Sequence, residues 1–511
     1  MFWYVTRATF LVARTNRNIP LRLSDLALAP LDALRSTRDY LTDLTTPTLR
    51  LGVTGLARAG KTVFITALVR NLVRGGRLPF LAAYAEGRVI SAELTPQPDD
   101  GVPRFDYERH LAALTAPEPS WPESTRAISQ LRVTLTFERT STLARALGPA
   151  RLHIDIVDYP GEWLLDLGLL NRTFAQWSAD AMMLARAPAR GTSAKEWLAH
   201  VAGLSPNAPA DEATAMRAAE VFTAYLHAAR AAEPALSTVG PGRFLLPGER
   251  EGSPLLAFAP LDLVPDAAIA PGTLAAMMAR RYESYRTQVV RPFFRDHFSR
   301  LDRQIVLVDA LAALNRGAHA IDDLSHALEA ALIAFRPGAR GWLAAFLPSR
   351  IDRIVFAATK ADHLPAASHD RLEATLGLIV ENAARRAETA GADIKTMALA
   401  ALRATSEARA RQGSEMLACI KGVPMAGERL GARVFDGRSE MAVFPGDLDA
   451  DPRAALAAAR VGNGVGDGLG IGLVRFRPPR LTGETQSIEP QAWPHIRLDK
   501  ALEHLLGDRL A

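Results

Sequence analysis

Gly55-Leu-Ala-Arg58-Ala59-Gly60-Lys61-Thr62 places two glycines, a lysine and a hydroxyl residue in the spacing GxxxxGK[ST]. The chemistry this spacing serves is capture of a polyphosphate. Glycines at 55 and 60 let the backbone wrap closely, and the N–H groups of Arg58, Ala59, Gly60, Lys61, Thr62 and Val63 turn inward toward an anion at a helix N-terminus. Lys61 adds a point charge for the β- and γ-phosphates and Thr62 a hydroxyl for Mg²⁺.

Two further patterns complete a nucleotide site. Ile154-Asp155-Ile-Val-Asp158-Tyr-Pro-Gly161-Glu162 is a strand that ends in an acid and runs into DxxG. Asp158 can hold Mg²⁺ through water, and the N–H of Gly161 can bond a γ-phosphate and so sense its loss. Asp155 is the rival acid, but its odd spacing from Asp158 puts it on the other face of the strand. Thr359-Lys360-Ala-Asp362 ends another apolar run. An aspartate there accepts from the N1–H and exocyclic amine of guanine, donors that adenine lacks in that arrangement. Lys360 would lay its methylene stem along the base.

These residues need elements to hold them. Leu49 to Val53 reads as a strand and Thr62 to Val73 as a helix, which is the strand–loop–helix context the phosphate loop requires. Leu131 to Phe137 and Arg151 to Val157 alternate as two antiparallel neighbours. Strand character returns at Gln304 to Asp309, Ile354 to Ala358 and Thr396 to Leu402, with a helix over Arg371 to Ala387. Strands alternating with helices imply a mostly parallel sheet, an α/β P-loop GTPase-like core. Asp158 and Asp362 are ~200 residues apart where two strand–helix units need about 60, so a whole helical domain is inserted between them. Phe222, Tyr225, Leu226 and Ala229 form one apolar helix face within it, and Tyr282, Tyr285, Val289 and Phe293 another. Arginines 281, 286, 291, 295, 300 and 303 punctuate the second. Their reading is a solvated face, with an acidic partner or phospholipid as the alternative. The proline-rich stretch from Pro79 to Pro122 reads as a mobile loop region.

The resulting organisation is an N-terminal helical extension over 1–47, a first core part over 48–163, a helical insertion domain over 164–302 and a second core part over 303–411. A small β-containing C-terminal unit with a terminal helix fills 412–511. Gly462 to Gly468 is glycine-rich but does not match GxGxxG and reads as a flexible hairpin or linker. Arg340 to Pro348, with Trp342 and Phe346, reads as buried packing, with a docking segment as the alternative.

Composition narrows the class. The chain has 511 residues with 48% hydrophobic and 23% charged content and a mean hydropathy of +0.02, a globular profile that excludes wholesale disorder. Net charge is +5, too diffuse to argue for nucleic acid, and no nucleic-acid partner is expected. No apolar stretch approaches the roughly 20 residues that span a bilayer. A single cysteine, Cys419, excludes an internal disulfide framework and a thiolate zinc cluster and fits a reducing compartment. The 11 histidines show no HExxH spacing and there is no GxSxG elbow, so zinc and serine hydrolases drop out. The first residues combine Phe2, Trp3 and Tyr4 with Arg7, Arg14, Arg17 and Arg22. They read as a terminus outside the fold, with a helix on an anionic membrane surface as the alternative.

GLARAGKT, DYPGEWLLDL, RQIVLVDALAALNRG and RIVFAATKADHL, in that order, resemble the YcjX family of bacterial stress-associated P-loop proteins, over Leu49 to Ser406 and again in FPGDL near Phe444. The resemblance implies GTP and GDP binding with Mg²⁺, GTP turnover on a small-GTPase core with large insertions, a cytoplasmic location and an inner-membrane protein partner. Peripheral contact with the inner membrane is a separate expectation, from the N-terminal residues and the insertion arginines. Ala404 and Thr405, after Arg403 and the last strand, match more loosely a second guanine-contacting loop of such cores. Glu162 stands where many GTPases place a water-orienting glutamine, and reads either as a base or as a solvated turn charge. Thr125 in Trp121-Pro-Glu-Ser-Thr125 is the candidate threonine that joins Mg²⁺ and the γ-phosphate, or else an N-cap. Arg58 and Arg126 are candidate arginine fingers, with surface charge as the other reading. The expectation is a slow GTPase switch in an envelope or stress response; the alternative is a nucleotide-gated adaptor with negligible hydrolysis that docks a membrane partner. An ATPase or small-molecule kinase is the remaining rival.

Overall fold

The computed structural model describes residues 46–55, 58–123, 127–232, 238–332, 351–461, 472–481 and 492–511. It divides into two units, Met1–Pro47 and Thr48–Ala511, and the sheet, its covering helices and the C-terminal unit all belong to the second. Most of the expected N-terminal helical extension, Thr125 and Arg126, the Trp342 segment and the glycine-rich run from Gly462 lie outside the described residues.

A seven-stranded sheet in the order β2-β3-β4-β1-β5-β6-β7 organises this unit. Its strands are β1 (Thr48–Gly55), β2 (Val89–Thr95), β3 (Ser129–Phe137), β4 (Ala150–Asp158), β5 (Arg303–Val308), β6 (Arg353–Ala358) and β7 (Asp393–Ala398). β1 pairs in parallel with β4 and β5, and β6 and β7 continue the parallel array, whereas β3 runs antiparallel to β4 and β2 to β3. The central strands β5 and β6 are apolar after their first residues and buried along almost their whole length, as strands covered on both faces are. Parity along β5 divides the faces. Ile305 and Leu307 enter the core shared with helix α1 (Lys61–Val73) and the C-terminal helix Leu498–Leu506. Val306 and Val308 enter the opposite core, with Leu311, Leu324 and Leu376.

Between β4 and β5 the chain builds the helical insertion. Its helices include Glu162–Leu167, Phe174–Ala185, Gly191–Ala202, Glu212–Ala231 and Leu274–Tyr285, around an aromatic core in which Trp177 stacks on Tyr282 at 5.1 Å and Trp197 meets Phe222 at 4.9 Å. Both apolar faces read from the sequence are buried. A π-helical turn at Arg286–Val290 follows Tyr285, and Val289 and Phe293 beyond it still face the core. Several of the punctuating arginines are engaged within the chain: Arg281 with Glu212, Arg286 with Glu283 and the Leu170 carbonyl, and Arg303 with Asp508.

The stretch from Pro79 to Pro122 departs from the expected loop. It holds edge strand β2 and a helix, Tyr107–Thr115, whose N-terminus is capped by the Asp106 side chain accepting from Arg109 N–H at 3.4 Å. An edge strand with one neighbour and a solvated face carries no strict apolar alternation, so VISAELT gives no clear period.

Past β7 a three-stranded antiparallel sheet, β8 (Ser406–Gln412), β9 (Glu415–Gly422) and β12 (Met441–Val443), joins a ribbon of β10 (Arg429–Leu430) and β11 (Arg433–Val434). Ile420, Phe435, Val443, Val474 and Phe476 form its small core.

Candidate nucleotide-binding site

Register brings the motifs to one edge of the sheet. Val53 lies opposite Asp158, Gly55 opposite Leu307, Val308 opposite Ala358 and Ala358 opposite Ala398. The phosphate loop, the DxxG segment and the TKxD loop thus all leave from carboxyl ends. From β1 the chain turns toward the β4 side, and from β5 it moves to the other. This reversal opens the crevice where α/β sheets take ligands.

The two loop glycines have different causes. A Cβ on Gly55 would lie 2.8 Å from the Leu307 carbonyl oxygen, so β1 and β5 tolerate no side chain there. Gly60 has open space around it but φ of 84°, in the left-handed region that favours glycine. Arg58 is exposed and also left-handed, with φ of 65°. No side chain caps α1 at Gly60, and the N–H groups of a helix's first turn have no i−4 carbonyl within the helix. Lys61 Nζ lies 3.5 Å from the Gly55 carbonyl, folded back across the loop. Ala59 is buried. The Thr62 hydroxyl donates to the Glu123 carbonyl at 3.2 Å, which sets the segment from Trp121 to Glu123 against the start of α1.

Asp158 is the buried last residue of β4. Its rival Asp155 is spent elsewhere: Arg132 donates to both its oxygens, at 2.6 and 3.0 Å, in a fully buried pair. After Asp158, Tyr159 is buried, accepts from Gln304 Nε2 at 2.8 Å and meets Phe293 edge-on; burial pushes its hydroxyl well above the usual range. Gly161 leads directly into the helix Glu162–Leu167.

That helix is held by the insertion, which sequence reasoning did not anticipate. The Glu162 carboxylate, 7% exposed, accepts from Arg230 at 2.6 Å, so action as a base requires this pair to open. Trp163 donates to the Leu246 carbonyl at 3.2 Å and carries the Arg243 guanidinium 3.2 Å above its ring. Asp166 accepts from Gly242 N–H and from the Tyr285 hydroxyl, both at 2.6 Å. A Cβ on Gly242 would fall 2.1 Å from the Glu162 carbonyl oxygen.

Burial raises the Asp166 carboxyl to about 6, against the lowering effect of the Tyr285 and Gly242 bonds. A folded-state pKa above the unfolded one means that the stabilisation is complete below about 4 and is lost as pH rises through 6. Holding this carboxylate ionised at neutral pH costs about 3 kcal/mol. The expected result is that wild type loses stability relative to Asp166→Asn between pH 4 and 7, read from urea midpoints of the two proteins across that range. Parallel curves would show that Asp166 is not the titrating group.

The TKxD loop and the loop after β7 meet across 42 residues of sequence: Asp362, buried, accepts the Ala404 N–H at 2.8 Å, and the Thr405 hydroxyl donates to the Asp362 carbonyl. Thr359 N–H donates to the Val308 carbonyl at 2.9 Å. Lys360, left-handed at φ 60°, pairs through Nζ with Asp309. Asp309 also caps the helix Ala310–Arg316 by accepting from Ala312 N–H at 3.2 Å. Its position at the end of an apolar strand was the available signal. Among the described residues no group of three or more His, Cys, Asp or Glu side chains converges on a metal position, and no helix is long and apolar enough to cross a membrane.

A profile of the YcjX-like family, DUF463, matches residues 49–510. The chain belongs to that family. The YcjX-like chain is 37% identical over 472 residues to a protein of Escherichia coli (strain K12) named Ras-like GTPase YcjX, covering 90% of this chain and 96% of that one. It is 33% identical over 483 residues to a protein of the same name from Shewanella oneidensis, covering 90% and 94%. The YcjX-like core is a P-loop GTPase-like fold.

Proposed function

We propose that this chain binds GTP and GDP and hydrolyses GTP as a slow switch. The observation that carries the reading is the shared edge of the sheet: a phosphate loop at the end of β1 and, past the end of β6, a buried aspartate with one oxygen occupied by Ala404 N–H and the other left for a base. The names of the two relatives support it.

In this reading Lys61 and the N–H groups from Arg58 to Val63 carry the β- and γ-phosphate charge, and Gly161 N–H bonds the γ-phosphate. Thr62 and Asp158 suit Mg²⁺, a hard cation held by oxygen, which when bound neutralises the charge developing on the phosphates. Water attacks the γ-phosphorus in line, the bond to the β–γ bridging oxygen breaks, and the proton passes to the released phosphate. Thr359, Lys360, Asp362, Ala404 and Thr405 hold the base. The ion pair between Glu162 and Arg230 favours slow turnover and supports the adaptor with negligible hydrolysis as a second reading. The helical insertion is the proposed adaptor to an inner-membrane protein partner met from the cytoplasm, a partner that rests on the family resemblance alone.

Equilibrium binding of fluorescent GDP, GTP and ATP analogues with and without Mg²⁺, followed by phosphate release, tests the proposal. Guanine-selective binding with turnover is expected. Guanine binding without multiple turnover, with and without membrane extract, selects the adaptor, and equal ATP binding overturns the use of Asp362.

A further inference from the structure

Phe476 belongs to none of the motifs, yet it contacts the neighbours of both ends of the site. Its ring is 2% exposed within the small C-terminal core and meets the His363 imidazole edge-on at 5.4 Å. His363 follows Asp362 directly. The Phe476 carbonyl accepts the Trp121 indole N–H at 2.8 Å, and two residues beyond Trp121 the Glu123 carbonyl accepts the Thr62 hydroxyl.

The backbone around Phe476 is pinned. Arg477 N–H donates to the Val423 carbonyl at 2.8 Å and Met425 N–H to the Arg475 carbonyl at 2.7 Å. The fit against the base loop is close enough to require a glycine: a Cβ on Gly422 would lie 2.9 Å from Phe476 Cδ1 and 3.0 Å from the Ala404 carbonyl oxygen. Ala404 is the residue whose N–H occupies Asp362. One buried residue of the C-terminal unit therefore bridges the base loops and the segment that rests on Thr62.

We infer that Trp121 and Phe476 are positioning residues of the nucleotide site, coupling recognition of the base at Asp362 to the metal side at Thr62. The inference rests on the guanine-nucleotide reading above. The segment from Pro117 to Pro122 has no strand ladder to fix it, so an anchor from outside must set the register of the Glu123 carbonyl on Thr62. The indole bond supplies it. Without that anchor, the ordering of the segment falls on the ligand and weakens metal-dependent binding.

Trp121→Phe keeps an aromatic ring and removes the N–H. Fluorescent GDP and a non-hydrolysable GTP analogue are titrated in EDTA and across a range of Mg²⁺. The GDP affinity in EDTA is expected to stay within about twofold of wild type, while the Mg²⁺ concentration for half-maximal GTP-analogue binding rises about fivefold, the worth of one neutral hydrogen bond. Gly422→Ala, which displaces Phe476 from Ala404, is expected to reduce the preference for guanine over adenine already in EDTA. The double variant should lose less than the sum of the two, because both break one linkage.

A packing role alone would lower the unfolding midpoint of Trp121→Phe and weaken both nucleotides alike with an unchanged Mg²⁺ dependence, and that result overturns the inference. Guanine binding by wild type with an unmoved Mg²⁺ dependence in a stable Trp121→Phe protein overturns the coupling alone. Wild type that binds no guanine nucleotide overturns the nucleotide reading and the coupling with it.

Discussion

Asp362→Asn is expected to lower GTP affinity on the order of 10⁴-fold while leaving the weak binding of ATP unchanged. One Asp362 oxygen already accepts the Ala404 N–H. An asparagine keeps that bond only by turning its own oxygen to Ala404, which swings its NH₂ toward the base. Guanine presents N1–H and an amine there, so donors face donors in a buried site. Xanthine carries a carbonyl at C2 in place of the amine, and XTP is therefore expected to regain much of the lost affinity in the variant. Competition of GTP, XTP and ATP against a fluorescent analogue reads both effects. An Asp362→Asn protein that still prefers GTP would remove Asp362 from base recognition.

The second large effect is at the phosphates. Lys61 leans on the Gly55 carbonyl at 3.5 Å, a weak contact that a polyphosphate readily replaces. Two charge-assisted hydrogen bonds, at about 1.5–3 kcal/mol each, make the expected loss for Lys61→Ala on the order of 10³-fold in GTP and GDP affinity alike. Lys61→Arg is not expected to rescue it, because a planar fork does not fit a loop shaped around a point charge. The side chain is only partly buried, so the unfolding midpoint should hardly move. Calorimetric titration of the variant with each nucleotide checks this, and wild-type affinity would end the phosphate-loop assignment.

Much of this molecule was legible before its fold. GxxxxGKT, DxxG and TKxD mark candidate chemistry through residue types at fixed spacing, and each follows a segment whose pattern reads as a strand. The inserted helices announced themselves by periodic aromatic and aliphatic faces. Short, polar or edge elements were not legible: β2 and the β8–β9 hairpin carry little apolar alternation, because each has at least one face in water. Asp155 and Asp158 illustrate the boundary. Parity along the strand separated them, but only the packed sheet showed Asp155 paired with Arg132.

The sequence by itself determined the α/β class and singled out the candidate phosphate, metal and base residues, since local spacing and periodicity encode both. Only the tertiary structure decided what those residues lean on: Glu162 on Arg230, Asp166 on Gly242 and Tyr285, Asp362 on Ala404, Trp121 on Phe476. Each of these partners is distant along the chain, and no periodicity records a contact between residues that only folding brings together. Such contacts depend on sheet order and on which helix covers which face, and those follow from burying every apolar surface at once.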